Sequence, residues 1–245
     1  HMGITAENIA EKYAISREEQ DEFAIESQQR AIAAIDNGKF KSEIVPIEYK
    51  VKKETHVFDT DEFPNRTTSL EKLSTLRPAF KKEGSVTAGN ASGINDGASF
   101  VLIASEEAVK QYNLTPLCEI IGVGQGGVDP AIMGMGPVPA IANALKNAGI
   151  KLSDIDVIEL NEAFAAQSLG VIHELMAQHG VTREWINERT NINGGAIALG
   201  HPIGASGNRI VVSLVHEMIN NEAKLGLASL CIGGGMGTAL ILKKC

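Results

Sequence analysis

One apolar face at helical spacing is the first clear pattern in the chain, formed by Phe23, Ala24, Ser27, Ala31 and Ile35. Ser16 and Glu19 form a capping box before this face. The pair Asn37-Gly38 predicts where the helix ends, because both residues favour the left-handed conformation found at helix C-termini. Residues 40–65 then change to short runs, E-I-V-P-I-E-Y-K-V and T-H-V-F, which predict short strands and loops.

Strands and helices are predicted to alternate from S-F-V-L-I-A-S, at 99–105, onward. That run predicts a buried strand, and a helix starts at E-E-A-V. Further strands are predicted at L-C-E-I-I, at V-I-E-L, at Leu227 to Leu230 and at Thr238 to Leu242. Between them lie a helix bounded by Pro139 and Gly149, a helix opened by N-E-A-F, and a helix after Gly207. This alternation predicts an α/β layered core for residues 115–245.

Composition narrows the classes of partner and compartment. With 245 residues, 44% of them hydrophobic, the chain can bury one or two cores. A formal net charge of -8 without a basic cluster argues against nucleic acid or an anionic membrane as partner. Three cysteines without a C-x-x-C pair, with no signal peptide and no long apolar run, favour the cytoplasm. His173 and His179 lack the H-E-x-x-H spacing, so no metal site is predicted.

The run G-V-G-Q-G-G at 122–127 matches G-x-G-x-x-G. A dinucleotide-binding fingerprint must open a helix. Here V-D-P follows at once, and Pro130 interrupts the expected helix. We therefore expect no dinucleotide site at this run.

Glycines and alanines surround one imidazole in the stretch 193–207, N-G-G-A-I-A-L-G-H-P-I-G-A-S-G. Small residues let backbone N–H groups and a substrate approach His201 closely. Because a helix is predicted after Gly207, His201 lies just before a helix N-terminus, which suits an oxyanion and disfavours a protonated imidazole. The alternative is a glycine-rich turn with an incidental histidine.

Two further residues at strand ends are candidates for chemistry. Cys231 follows a short predicted strand, and Gly233 to Gly235 are expected to leave its thiol uncovered, although free cysteine is more often a buried small hydrophobe. Asn161, in N-E-A-F-A-A-Q, lies between a predicted strand and a helix. Its side chain either caps that helix or faces the site at the strand ends.

Three motifs make the chain resemble the thiolase family, in its acetyl-CoA acetyltransferase branch: G-G-A-I-A-L-G-H-P-I-G-A-S-G around His201, N-E-A-F-A-A-Q and C-I-G-G-G-M-G. The resemblance extends through M-G-I-T-A-E-N and V-T-A-G-N-A-S-G, and so covers the whole chain. It implies an α/β fold in which an α+β loop domain (1–94) precedes the end of the N-terminal domain (95–114) and a layered α/β C-terminal domain (115–245). The implied reaction joins two acetyl-CoA into acetoacetyl-CoA and CoA, reversibly, with coenzyme A as substrate and no other cofactor.

The resemblance also implies a role for each motif residue. Cys231 exchanges the α-proton of acetyl-CoA. His201 activates the acyl-accepting cysteine and, with a water held by Asn161, forms one oxyanion hole, while the Gly233 N–H contributes to the other. Residues implied in coenzyme A binding are Arg66 at the nucleotide end, Phe80, Ala88 and Ser92 along the pantetheine, and His1, Met2, Met133 and Phe164.

The acyl-accepting cysteine of the family stands in a C-x-S-G-type turn, and this sequence has none. Cys118, within a predicted strand, and Cys245 do not replace it. The chain is therefore expected to be inactive without an N-terminal thiolase half, and 99–105 to be unpaired or paired with another chain. A homo-oligomer is implied by resemblance. Alternatives are a non-catalytic CoA-binding module, a 3-ketoacyl-CoA thiolase of broader chain length and, less favoured, a decarboxylating ketoacyl synthase.

Overall fold

The computed structural model describes residues 1–245. Residues 1–114 contain helices and one β-hairpin, and residues 115–245 contain a mixed sheet with helices. The helices are α1 (Met2–Lys12), α2 (Arg17–Asp36), α3 (Leu70–Ser74), α4 (Glu106–Tyr112), α5 (Pro137–Ala148), α6 (Ala165–His179), α7 (Arg183–Arg189), α8 (Ala196–Leu199) and α9 (Ser206–Asn220). The strands are β1 (Ile47–Val51), β2 (Glu54–Phe58), β3 (Cys118–Gly127), β4 (Val157–Leu160), β5 (Leu225–Ile232) and β6 (Met236–Lys244). Short 3-10 helices occupy Lys39–Ser42, Pro130–Met135 and Leu152–Asp154.

The sheet has four strands in the order β3-β6-β5-β4. β4 and β5 are parallel, and β6 is antiparallel to both of its neighbours. Alternate residues of the strands face opposite sides. Ile158 and Leu227 join a core with α1, α5 and α6, whereas Val157 and Ala228 join a second core with α9. Helices therefore cover both faces, which confirms the predicted α/β class.

The local signals of α2 and α5 are confirmed. Ser16 accepts from the Glu19 amide, and the Glu19 carboxylate accepts from the Ser16 amide, so the capping box is present. α2 has Asn37 as its C-cap. α5 ends at Gly149, which takes the left-handed conformation with φ 69°.

The prediction of a buried strand at 99–105 is wrong for this chain. Residues 95–105 form no helix or strand, and Phe100, Leu102 and Ile103 are 88%, 86% and 74% exposed. The pattern is that of a strand, but no strand among the 245 residues lies beside it. This agrees with the expectation that the stretch lacks its sheet here.

The glycine run at 122–127 lies within β3, although the sequence had placed it after the strand. A Cβ on Gly124 would overlap the carbonyl oxygen of Ala140 and the amide nitrogen of Ala144. The glycines thus let α5 lie directly against β3. The helix that a dinucleotide fingerprint needs does not start here, because a 3-10 helix begins only at Pro130.

Candidate active site

The backbone of His201 is held between two segments at the start of α9. Its N–H donates to the carbonyl of Gly93 at 3.1 Å and approaches Oδ1 of Asn95 at 3.3 Å. Ile94 forms a parallel bridge with His201. The N-A-S-G-I-N loop therefore fixes the residue on one side, and α9 begins five residues beyond it, as the apolar pattern had indicated.

The ring of His201 is oriented by Ser206, the first residue of α9. Nδ1 lies 2.6 Å from Oγ of Ser206, which is fully buried. The same oxygen also lies 3.0 Å from the carbonyl of Pro202, which can accept its single hydrogen. When the hydroxyl gives its one hydrogen to that carbonyl, it accepts from His201 and Nδ1 carries the ring proton. In the neutral ring, Nε2 then has the free lone pair.

The charge state of His201 follows the predicted direction. Burial, and secondarily the positive charge of Arg209, hold the pKa of the imidazole below its usual value. The neutral ring is thus favoured near neutral pH. A neutral imidazole with a free Nε2 lone pair is suited to accept a proton from a thiol.

Asn161 lies directly after β4 with its side chain buried, only 1% of the residue being exposed. Its N–H donates to the carbonyl of Ser229 at 3.0 Å, which places it beside the end of β5. Neither polar atom of the carboxamide has a hydrogen-bond partner within the protein. The helix-cap alternative is wrong, because the N-cap of α6 is Phe164 and has no side-chain cap. A buried, unpartnered carboxamide is suited to hold a small polar ligand.

Cys231 stands near the end of β5, the strand parallel to β4. The carboxyl ends of parallel strands share one edge of a sheet, so Cys231 and Asn161 lie at the same edge. The residue is half-buried, so the expectation that the glycines uncover its thiol is only partly met. Burial raises the pKa of the thiol to about 11. Gly233 is exposed, with no atom within 4 Å of where a Cβ would stand.

Ser92 connects the Asn161 turn with the His201 backbone. Its N–H and its hydroxyl both donate to the carbonyl of Ala163, at 3.1 and 2.9 Å. The next residue, Gly93, accepts from His201. One short loop thus joins the segment after β4 to the residue before α9.

Three residues implied in coenzyme A binding form an aromatic cluster. The ring centroids of His1 and Phe80 are 4.9 Å apart, and those of Phe80 and Phe164 are 6.0 Å apart in an edge-to-face arrangement. Beside His1, Met2 is 41% exposed. Ala88 is exposed, whereas Met133 is buried.

Arg66 takes part in an exposed ion pair. Its guanidinium makes two hydrogen bonds to the carboxylate of Asp36, at the end of α2, with distances of 2.6 and 3.0 Å. Both side chains are about half exposed. A ligand phosphate at Arg66 has to compete with this exposed ion pair, which contributes little stability in water.

Sequence reasoning did not single out Ser206 or Asn95, although both contact His201. Ser206 belongs to the A-S-G at the end of the 193–207 stretch, five residues after His201, so its place in the motif was a usable signal. Asn95 contacts His201 across 106 positions, and no local pattern gives a signal for such a contact.

Other features carry no candidate residue. A surface cleft of about 400 Å³ near Asp156 and Lys224 lies at the opposite ends of β4 and β5. No group of three or more His, Cys, Asp or Glu side chains is arranged to hold a metal ion. None of the helices has the length and apolar character needed to cross a membrane.

The fold and the site define a layered α/β protein with a candidate Cys-His-Asn constellation at one sheet edge. The chain belongs to the thiolase family: residues 1–107 match the model of the thiolase N-terminal domain and residues 114–244 that of the thiolase C-terminal domain.

Relatives and solved structures agree with this family. The chain is 58% identical over 245 residues to an acetyl-CoA acetyltransferase of Pseudomonas aeruginosa, and 55% identical over 244 residues to one of Escherichia coli K12. The match covers 100% of this chain and 60% of each relative. The crystal structure of the Bacillus anthracis acetyl-CoA acetyltransferase is similar, with a TM-score of 0.94 and 49% identity, over 100% of this chain and 60% of that one.

A second solved structure is described as human mitochondrial 3-ketoacyl-CoA thiolase in complex with CoA. It has a TM-score of 0.87 and 49% identity, and the match covers 100% of this chain and 59% of that one. The chain therefore spans about 60% of the length of the relatives it matches.

Proposed function

We propose that this chain carries the proton-transferring part of an acetyl-CoA acetyltransferase site. With an acyl-accepting cysteine supplied, it catalyses thiolysis of acetoacetyl-CoA by CoA to two acetyl-CoA, and the reverse condensation. The observation that carries the proposal is that Cys231 and the unpartnered carboxamide of Asn161 lie at one sheet edge, with His201 joined to the same turn through Ser92 and its imidazole pKa lowered by burial.

Each residue has a role that its environment supports. His201 takes the proton of the acyl-accepting thiol at Nε2. The Asn161 carboxamide holds a water that, with His201, binds the thioester oxygen, and the Gly233 N–H stabilises the enolate oxygen. Cys231 removes the α-proton of acetyl-CoA. The raised pKa of its thiol makes the thiolate, once formed, a strong base.

Coenzyme A is the proposed substrate carrier, and a relative of this fold is described in complex with CoA. We place the pantetheine arm along the aromatic cluster of His1, Phe80 and Phe164, and along the loop that contains Ala88 and Ser92. Met2 and Met133 extend this surface, and Arg66 meets the nucleotide end after release from Asp36. The proposal includes a division into a loop domain (1–94), the end of the N-terminal domain (95–114) and a C-terminal domain (115–245). It also includes a cytoplasmic location and a homo-oligomeric state.

The acyl-accepting cysteine is proposed to come from an additional segment. The three cysteines are Cys118, Cys231 and Cys245. Cys118 opens β3, and burial raises the pKa of its thiol. Cys245 pairs through its backbone with Leu117, beside the same strand. Neither is in a C-x-S-G turn, so the chain alone is expected to be inactive.

The test is a thiolysis assay with acetoacetyl-CoA and CoA. The chain is assayed alone, and with the separately expressed part of the Escherichia coli relative that it does not match. We expect turnover only with both parts, and loss of turnover in His201→Asn. Turnover by the lone chain, with an acetyl group found on Cys118 or Cys245 by mass spectrometry, would overturn the missing-cysteine proposal. Binding of CoA without turnover in any combination would favour the non-catalytic module.

Chain-length preference is tested in the same assay. The 49% identity to a 3-ketoacyl-CoA thiolase makes a broader substrate range the second candidate. Equal turnover of 3-ketohexanoyl-CoA and acetoacetyl-CoA would favour it.

A further inference from the structure

We propose that Glu162 is a positioning residue: its buried carboxylate fixes the start of α8, and this one-turn helix in turn fixes the backbone of His201. The inference rests on the proposed function, because His201 is the group that is positioned. Glu162 is 2% exposed and follows Asn161 directly in the chain.

Three hydrogen-bond donors from separate segments converge on the Glu162 carboxylate. Ser27 of α2 donates its hydroxyl to Oε2 at 2.6 Å, and the Ile197 amide donates to the same oxygen at 3.2 Å. Asn191 donates its side-chain amide to Oε1 at 2.9 Å. Burial raises the pKa of this carboxyl, and the three hydrogen bonds oppose that rise because they favour the ionised form. The ionised form accepts all three, whereas a glutamine of the same shape turns an N–H toward at least one donor.

The start of α8 is held from two sides. Ser27 also accepts from the amide of Gly195 at 3.1 Å, so one hydroxyl bridges the carboxylate and the residue before the helix. A Cβ on Gly195 would overlap the Glu162 carboxylate, so this position requires glycine for close approach. The Gly195 and Ile197 amides are thereby fixed in the core.

Backbone hydrogen bonds of α8 connect Gly195 with the residue that precedes His201. The amides of Leu199 and Gly200 donate back to the carbonyls of Gly195 and Ala196, at 2.8 and 2.9 Å. Gly200 then takes a left-handed φ of 92°, and His201 follows. A shift of the Gly195 backbone therefore passes through one helical turn to the imidazole.

The geometry also connects Glu162 with Asn161. The backbone of Leu160 forms two hydrogen bonds with the Asn191 side chain, at 2.8 and 2.7 Å, and the same side chain contacts Glu162. Asn191 thus links the turn that carries the Asn161 carboxamide with the loop that leads to His201. A role confined to global stability would leave the relative placement of these two groups unaffected.

The first test follows the His201 ring by 15N NMR in this chain, with His201→Asn to assign its signal among the six histidines. In Glu162→Gln we expect loss of the single-tautomer signal of the native ring and a shifted imidazole pKa. Ser27→Ala, which removes one donor and the Gly195 acceptor, should change the same signal. Glu174→Gln is the matched control, because Glu174 lies on α6 and contacts Tyr13 instead.

The second test measures thiolysis in the chain supplemented as above. Since small misplacements of catalytic groups cost up to roughly a hundredfold in rate, we expect kcat of Glu162→Gln to fall by about tenfold or more, with KM for CoA changed by less than about twofold. A lower kcat accompanied by a lower melting temperature, with an unchanged His201 signal, would overturn the inference.

Outcomes for this inference and for the proposed function are separable. Absence of thiolysis in the native supplemented chain counts against the proposed function, while the NMR signal of the chain alone still decides on Glu162. If Glu162→Gln does not fold, Ser27→Ala and hydrogen exchange in the native chain decide. The proposal expects slow exchange at the Gly195 and Ile197 amides, and fast exchange there contradicts it.

Discussion

The Ser206 hydroxyl is the hydrogen-bond partner of Nδ1 of His201, at 2.6 Å, and also lies 3.0 Å from the Pro202 carbonyl. Ser206→Ala removes this partner and frees both the tautomer and the ring rotation. We expect thiolysis by the supplemented chain to fall roughly tenfold or more, together with loss of a single imidazole tautomer in 15N NMR. Ser213→Ala, on the same helix and weakly bonded to Glu43 at 3.4 Å, serves as the control. Full activity in Ser206→Ala would contradict the assignment.

The Cys231 thiol is a resting acid rather than an exposed nucleophile. Burial raises its pKa to about 11, so the thiolate fraction at pH 8 is on the order of one in a thousand. We expect iodoacetamide at pH 8 to modify exposed Cys245 well before Cys231, as read by peptide mass mapping. The Cys231 rate should rise about tenfold per pH unit up to pH 10. Labelling of Cys231 first would show an activated thiol and refute this reading.

Elements with their own boundary signals could be predicted from sequence, and elements defined by distant partners could not. The capping box of α2 and the glycine that ends α5 are local, so both were predicted. The 99–105 stretch has the composition of a strand but no partner among these residues. At the candidate site, His201 and Asn161 stood in long motifs, whereas Ser27 contacts Glu162 across 135 positions.

The glycine run in β3 is a packing element, and this gives a prediction. Gly124→Ala places a methyl group against the backbone of Ala140 and Ala144, so α5 has to move away from the sheet. We expect the free energy of unfolding to fall by about 1 to 3 kcal/mol, measured by urea denaturation. Gly127→Ala is the matched control in the same strand, because its nearest neighbour, the Gly235 carbonyl, is 3.9 Å away. Equal effects of the two substitutions would contradict the packing role.

Across the whole molecule, a buried carboxylate couples stability to pH. The pKa of Glu159 is raised to about 8, chiefly by burial; the charge of Arg209 opposes the rise, and Glu43, Glu162 and Glu217 add to it. A folded-state pKa above the ordinary value of 4.5 means that stability is complete at low pH and is lost as pH rises through about 8.

We therefore expect the free energy of unfolding to decrease from pH 5 to pH 8, with Glu159 contributing on the order of a few kcal/mol. Glu159→Gln, which cannot ionise, should reduce this dependence in urea titrations at the two pH values; the remainder belongs to groups such as Glu43, whose pKa burial raises to about 7, and Glu162, whose pKa burial also raises. Glu184→Gln, on the exposed face of α7, should leave it unchanged. The same slope in Glu159→Gln and the native chain would assign the effect to other groups.

The largest apolar exposure in one continuous stretch lies at Phe100, Leu102 and Ile103, where backbone groups are also unpaired. Such a segment favours association, through both apolar contact and strand pairing. We expect the chain to self-associate with rising concentration in sedimentation velocity, and Leu102→Lys to shift it toward the monomer. Val45→Lys is the comparison, because Val45 is 80% exposed beside the β1–β2 hairpin. If Val45→Lys dissociates the chain and Leu102→Lys does not, the hairpin is the association surface and the 99–105 stretch is not.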